Sequence, residues 1–227
     1  MIRNRIDSAI ATRRGDDGTT GLLFGGERIP KDDLRTEACG TIDEAVAALG
    51  HARAELGVKA RQGDLTPGLA GLSELILRFQ RELFVAAAEL ATNPDAWHRL
   101  VGGQTQVSAT MVEGVESVLL ETERHIQMPR EFVVPGETIT SAALEQARTV
   151  LRRAERRVVS LRREGLVPGE HVLPYLNRLA DLLWALARFA EQAESRVATP
   201  SRTGGRPPPR ARTTTIAPAV DGPSTQE

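Results

Sequence analysis

Val172-Leu-Pro-Tyr-Leu-Asn-Arg-Leu-Ala-Asp-Leu-Leu-Trp-Ala-Leu-Ala-Arg-Phe-Ala190 carries apolar residues at Val172, Leu176, Leu179, Leu183, Leu186 and Ala190. The steps alternate between four and three. On a helix this spacing draws a single apolar stripe with a period of about 3.5 residues, the pattern of a helix packed in a bundle. The same rhythm recurs upstream, at Ala147, Leu151, Ala154, Val158 and Leu161, at Leu72, Ile76, Phe79, Leu83, Ala86 and Leu90, and at Ala38, Ile42, Ala45, Leu49, Ala52 and Leu56. A less regular version runs through Val107, Met111, Val115, Val118 and Leu119. Strand-like alternation is scarce, and Phe132-Val133-Val134 before Pro135 is the best candidate.

The breaks between these stripes are made of residues that stop helices. They fall at Gly57 to Gly68 with Pro67, at Thr92-Asn93-Pro94-Asp95, at Pro129 to Gly136, and at Gly165 to Gly169 with Pro168. Five helices with mostly modest connections predict an all-α, five-helix antiparallel bundle over residues 33–195. Residues 1–32 are rich in Gly, Thr, Asp and Arg and read as a loop segment. Residues 196–227 form a Pro/Thr/Arg-rich tail; six of the 13 prolines lie between Ala198 and Glu227. Such a tail buries too little apolar surface to offset its ordering entropy and is expected to be disordered.

Composition excludes several classes. The net charge of -1 exerts no general pull on nucleic acid or anionic membrane, so any anion site must be local. Cys39 stands alone, which excludes a disulfide framework within one chain and fits a reducing cytoplasm. No apolar run is long enough to span a bilayer. His51, His98, His125 and His171 lack metal-ligand spacing and read as surface or packing residues. No catalytic triad is arguable.

Three segments carry chemistry. Thr12-Arg13-Arg14-Gly15-Asp16-Asp17-Gly18-Thr19-Thr20-Gly21, followed by Gly25-Gly26-Glu27-Arg28 and Lys31, combines backbone freedom, hydroxyls and cations. It suits an anion as well as it suits a plain surface loop, and it lacks P-loop spacing. Arg148, Arg152 and Arg156 sit four apart, with Arg153, Glu155 and Arg157 beside them. The stripe fits either a polyphosphate or a solvated charged face. Asn177 flanks the last apolar stripe, and Asp43 flanks the first, where each can pair across helices.

In this order the segments resemble the PduO-type ATP:cob(I)alamin adenosyltransferases. The stretches that carry the likeness are Thr12-Arg-Arg-Gly-Asp-Asp-Gly-Thr-Thr-Gly-Leu, Gly26-Glu-Arg-Ile-Pro-Lys-Asp-Asp, Glu37-Ala-Cys-Gly-Thr-Ile-Asp-Glu, and Gln80-Arg-Glu-Leu-Phe with Ala88-Glu-Leu-Ala-Thr. Phe132-Val-Val-Pro-Gly, Arg152-Arg-Ala-Glu-Arg-Arg-Val-Val and Leu176-Asn-Arg-Leu-Ala-Asp complete the series, which covers about Thr12 to Ser195.

The resemblance implies a homotrimer with active sites between subunits and transfer of the 5′-deoxyadenosyl group of ATP to the cobalt of cob(I)alamin. It implies that Thr12, Arg13, Arg14, Gly15, Thr20, Gly21 and Lys31 wrap ATP. Arg152, Arg153, Glu155 and Arg156 of the adjacent subunit, with Asn177, would complete that site. Asp43 would partner Arg152, and Phe132 would lie beneath the corrin ring. Mg²⁺ is expected with ATP, and an adenosylcobalamin-dependent mutase is a possible recipient of the product. Three positions depart from the usual pattern of the family: Arg14 where Thr is commoner, Glu137 where a second Gly is usual, and Ala180 where Ser is usual.

Cob(I)alamin is itself a strong nucleophile, so the absence of a general base agrees with this chemistry. Lys31, Arg152, Arg156 and Mg²⁺ are then the expected stabilisers of the leaving triphosphate. Two other functions fit parts of the sequence. One is a non-catalytic carrier of ATP and cobalamin on the same bundle. The other is a helical scaffold whose arginine face and tail bind nucleic acid or a protein.

Overall fold

The computed structural model describes residues 10–202. Within them the chain forms α1 (Leu34–Gln62), α2 (Leu72–Ala91), α3 (Ala109–His125), α4 (Ile139–Arg163) and α5 (Val172–Ala193). Two short 3-10 turns, Pro67–Leu69 and Pro94–Arg99, lie on either side of α2. The five expected helices are present.

The ends of the helices follow local chemistry. Asp33 caps α1 by accepting from the Arg35 amide, and Ser108 caps α3 by accepting from that of Met111. Thr138 and Ser141 form a reciprocal capping box at the start of α4. The first helix runs past Gly57, expected to lie in the break, and stops at Gly63. Val58-Lys-Ala-Arg-Gln62 has no residue that opposes helix strongly, and one internal glycine costs only about 1 kcal/mol. Gly63 ends the helix with φ 78°, a left-handed conformation that costs a β-carbon dearly.

Every stripe residue named above on α1, α2, α4 and α5 is buried. Val107, Met111 and Val115 are buried too, while Val118 and Leu119 pack against the core from its margin. On α1 small and large residues alternate along the stripe, and α4 mixes them, which lets facing helices interdigitate. Truncating a buried member such as Leu176 to Ala therefore costs about 2–5 kcal/mol.

Cross-helix contacts give the directions. Cys39 Sγ approaches the Ala87 carbonyl and Gln80 donates to that of Val46, so α1 and α2 are antiparallel. Arg157 meets Glu37 and Arg153 meets Glu44, so α1 and α4 are antiparallel as well. Asn177 meets Glu155 and Arg188 meets Glu145, which makes α4 and α5 antiparallel. Arg178 meets Glu116, and Gln192 lies beyond the end of α3 at Gln127, so α3 and α5 run parallel. The chain crosses the bundle five times in alternating directions, so odd-numbered helices point the same way.

Two tiny sheets flank the bundle. β1 (Thr19–Thr20) pairs antiparallel with β2 (Ile29–Pro30) within the N-terminal segment. β3 (Val133–Val134) pairs antiparallel with β4 (Thr199–Pro200). This corrects the expectation that residues 196–227 are unstructured from their start. A sheet ladder uses backbone groups, which a composition averaged over thirty residues does not register. Residues 203–227, the rest of that segment, lie outside the described residues, as do residues 1–9.

Candidate active site

The N-terminal segment is organised by its own side chains and tied to the end of α2. Arg28 donates through Nε to Thr19 Oγ1 (2.7 Å), and through Nη2 to the carbonyls of Arg14 (2.8 Å) and Thr19 (2.9 Å). Asp17 Oδ1 accepts from the amide and hydroxyl of Thr19, and these bonds hold its carboxyl below the usual range. The Lys31 amide donates to the Gly18 carbonyl at 2.9 Å. Leu23 donates to Ala91 and accepts from Asn93, and Arg99 lies 4.2 Å over the Phe24 ring. The loop is thereby held against the bundle.

Gly15 permits a close approach. A β-carbon there would stand 2.8 Å from Lys31 Nζ and 3.2 Å from the Thr19 carbonyl. Without one, the ammonium rests against the loop backbone. Thr12, Arg13, Arg14, Gly21 and Lys31 are exposed and Thr20 is half-buried. Arg13 and Arg14 line a cleft with Asp16 and Asp17. The loop presents cations and hydroxyls outward.

The arginines of α4 divide into two sets. Arg153 forms an ion pair with Glu44, and Arg157 with Glu37 at 3.1 Å, so both lean on α1. Arg152 and Arg156 do not. Arg156 donates only to the Arg152 carbonyl (3.0 Å) and has no carboxylate partner among the described residues. Arg152 has Glu155 at 3.9 Å, a loose pair. Glu155 accepts from Asn177 Nδ2 at 3.0 Å, Asn177 Oδ1 accepts from Arg178, and Arg178 binds Glu116 on α3 at 2.9 Å. A line of polar contacts thus crosses α3, α5 and α4 and ends beside Arg152.

Within one chain these two cationic groups are not bonded to each other. Among the described residues, no hydrogen bond or ion pair joins Thr12 to Lys31 with Arg152 or Arg156. Asp43 is exposed on the α1 face that meets α2 and forms no ion pair among the described residues. The expected Asp43–Arg152 pair is therefore absent within the chain, because Arg152 lies on α4, whose neighbours on α1 are Glu37 and Glu44. Arg153, expected at ATP, is occupied by Glu44.

Phe132 is 88% exposed, an unusual state for a large apolar ring. It stands in a cleft of about 450 Å³ whose other walls are Pro129, Arg130, Glu131, Trp184, Ser201 and Arg202. This third surface is mostly apolar and shares no lining residue with the Arg13–Arg14 cleft.

Comparison with known proteins agrees with these features. The family model described as cobalamin adenosyltransferase matches residues 10–190. The chain belongs to the cobalamin adenosyltransferase family, in its PduO-type branch. A corrinoid adenosyltransferase from Citrobacter freundii is 37% identical over 182 residues, covering 80% of this chain and 94% of the relative. One from Bacillus subtilis is 36% identical over 178 residues, covering 78% and 83%. Among solved structures, a phenylalanine-to-histidine variant of the PduO-type ATP:corrinoid adenosyltransferase from Lactobacillus reuteri, complexed with cobalamin and ATP, superposes with a TM-score of 0.73. That likeness has 28% identity and covers 85% of this chain and 96% of the other. An arginine-to-lysine variant from the same organism, complexed with ATP, gives 0.72, with 28% identity and coverage of 85% and 100%.

Several residues that shape this adenosyltransferase carry little distinguishing signal in its sequence. Arg28 was legible only as one more cation, although it builds the loop. Glu89 is fully buried and accepts from the amides of Val107 (2.7 Å) and Gly169 (3.1 Å), tying two loops to the end of α2. Burial pushes its carboxyl up, opposed by those two bonds and by His171. Arg188 is fully buried and binds Glu191 at 2.7 and 2.8 Å and Glu145 at 3.1 Å. Its signal was an arginine set inside the apolar run Leu182 to Ala190.

Among the described residues, no group of three His, Cys, Asp or Glu is placed to hold a metal ion. None of the helices described in this adenosyltransferase is long and apolar enough to cross a membrane.

Proposed function

We propose that the chain moves the 5′-deoxyadenosyl group of ATP to the cobalt of cob(I)alamin, forming adenosylcobalamin and releasing triphosphate. One observation carries the reading: among the described residues, Arg152 and Arg156 are left without firm carboxylate partners on a helix where Arg153 and Arg157 have them. Unneutralised guanidiniums one turn apart repel each other unless an anion lies between or beside them. A triphosphate supplies one, through bidentate bonds that Lys does not reproduce.

The outward cations of the loop, Arg13, Arg14 and Lys31, supply the other half of the grip, with Thr12, Gly15, Thr20 and Gly21 giving hydroxyl and backbone donors. Co(I) attacks the ribose C5′, the Co–C bond forms, and the C5′–O bond breaks with its electron pair leaving on triphosphate. Lys31, Arg152 and Arg156 stabilise that departing charge, and no proton has to move at C5′. Glu155 and Asn177 position Arg152 and limit its repulsion of Arg156. Asp16, in the cleft with Arg13 and Arg14, is the carboxylate that would help hold a Mg²⁺ ion brought in with ATP, and the ion would neutralise phosphate charge. Phe132 supplies an apolar surface under the corrin that disfavours a lower axial ligand on cob(II)alamin, which eases its reduction.

The reading includes a homotrimer in which the loop of one subunit faces α4 of the next. The lack of any bond between the two cationic groups within the chain supports it, as does an Asp43 that has no ion pair among the described residues and could meet Arg152 across subunits. It also includes a cytoplasmic location and an adenosylcobalamin-dependent mutase as recipient of the product.

The test is direct: ATP, Mg²⁺ and chemically reduced cobalamin are incubated with the protein, and adenosylcobalamin and triphosphate are measured. Both products are expected in equal amounts. A protein that binds both substrates yet releases no triphosphate is a carrier, and the transferase reading fails.

A further inference from the structure

The cleft around Phe132 has an unusual wall. Phe132 belongs to the thirteen-residue connection between α3 and α4, which is anchored at both ends. At one end Gln192 Oε1 accepts from the Gln127 amide (2.8 Å) and its Nε2 donates to the Gln127 carbonyl (3.0 Å). At the other, Thr138 is locked by its capping box with Ser141. The middle of the connection is held from elsewhere, by residues that follow α5.

Three contacts make that hold. β4 lies antiparallel to β3, with Val133 opposite Pro200 and Val134 opposite Thr199. The Ser201 amide donates to the carbonyl of Phe132 itself at 2.8 Å. The Thr199 hydroxyl donates to Glu137 Oε1. Glu137 is the residue standing where the family usually has glycine, so this last contact requires the side chain that marks the departure. Ser201 and Arg202 also line the cleft beside the ring.

We propose that residues 199–202 are a positioning clip that sets where Phe132 stands, with Glu137 as its side-chain latch. This rests on the role of Phe132 given above. A ring that is 88% exposed is little constrained by packing, so its position is inherited largely from its backbone. The Ser201–Phe132 bond acts on that backbone directly, and the Glu137–Thr199 bond keeps β4 in register beside it. Phe132 touches the corrin in this reading, while the Thr199 hydroxyl, the Ser201 amide and the Glu137 carboxylate act through it.

The experiment uses the full chain with ATP, Mg²⁺ and cob(II)alamin, and follows the four-coordinate cob(II)alamin signal by magnetic circular dichroism. Thr199→Val deletes the donor, Ser201→Pro deletes the amide, and Glu137→Ala deletes the latch. Each is expected to lower the ratio of four- to five-coordinate cobalamin about fivefold, the loss set by one hydrogen bond. ATP affinity by calorimetry stays unchanged, Thr199→Ser restores the signal, and the Thr199→Val/Glu137→Ala double variant is no worse than either single one. Hydrogen exchange over residues 131–134, read without cobalamin, quickens in all but Thr199→Ser.

If the three variants keep the full four-coordinate signal while Phe132→Ala abolishes it, the clip is refuted and the role of Phe132 stands. If Phe132→Ala keeps the signal too, both are refuted. A fall in ATP affinity matching the fall in signal also overturns the clip, since it marks general disruption.

Discussion

Arg188→Met should unfold this bundle more readily than any single surface change. The side chain at 188 is wholly buried, Glu191 is 1% exposed and Glu145 is 5% exposed. Wild type balances charge inside the protein: Arg188 serves both carboxylates, and Arg148 reaches Glu145 from the edge at 2.6 Å. Methionine fills much of the same volume but removes the charge. Glu145 keeps Arg148; Glu191 keeps no cation among the described residues. Three hydrogen bonds to charged groups, at about 1.5–3 kcal/mol each, set an upper limit near 5–9 kcal/mol. Relaxation around the new side chain reduces it, and breaking a buried pair from one side typically costs about 3–5 kcal/mol.

For a domain of this size that is a fall of about 6–20 °C in Tm. Urea denaturation followed by circular dichroism at fixed protein concentration measures the free energy, and calorimetry the Tm. The companion variant Arg188→Met/Glu191→Leu removes the stranded charge as well, and should recover most of the loss because apolar replacement of a buried pair is often neutral. A loss under about 1 kcal/mol for the single variant, or a double variant no better than the single, would show that the network does not carry this charge balance. Arg188 also lies 5.5 Å over Trp184, a wall of the Phe132 cleft, so the same damage should reach the corrin surface.

Arg156→Ala should cut turnover by about a hundred- to thousandfold, as loss of one charge-stabilising donor does, with an unchanged Tm; steady-state kinetics beside a melting curve checks both. Glu89 gives a pH signature. Its folded-state carboxyl is raised by burial, so native protein holds the proton more tightly than unfolded protein. Its contribution is complete below the ordinary carboxylate range and is lost as pH rises through the raised folded value; Glu89→Gln should lack that slope in urea titrations run from acid to neutral pH. Burial, and secondarily the nearby Asp43 charge, lift the Cys39 thiol to about 11. At pH 8 it should therefore react with iodoacetamide at least about a hundredfold more slowly than an ordinary cysteine, measured by mass spectrometry.

The five helices and the burial of their stripes were readable in the chain because helical periodicity is local. A residue three or four positions from its neighbour shares its face whatever the rest of the molecule does, so Leu176 and Leu179 announce themselves. The sequence also brought the arginines of α4 into view as a group. It did not divide them. Whether Arg153 or Arg156 meets a carboxylate depends on how α4 is rotated and staggered against α1, and that is decided by the packing of two stripes more than a hundred residues apart.

Glu89 and Arg188 were hidden for the same reason, since their partners Val107, Gly169 and Glu145 come from other elements. The pairing of Thr199–Pro200 with Val133–Val134 was hidden more deeply, because a two-residue ladder is made by backbone groups that every residue type possesses. Local pattern determined the helices and their buried faces. Only the tertiary arrangement decided which charges are neutralised inside the chain and which are left to grip a ligand, because ion pairing is a matter of distance in space, which sequence order does not encode.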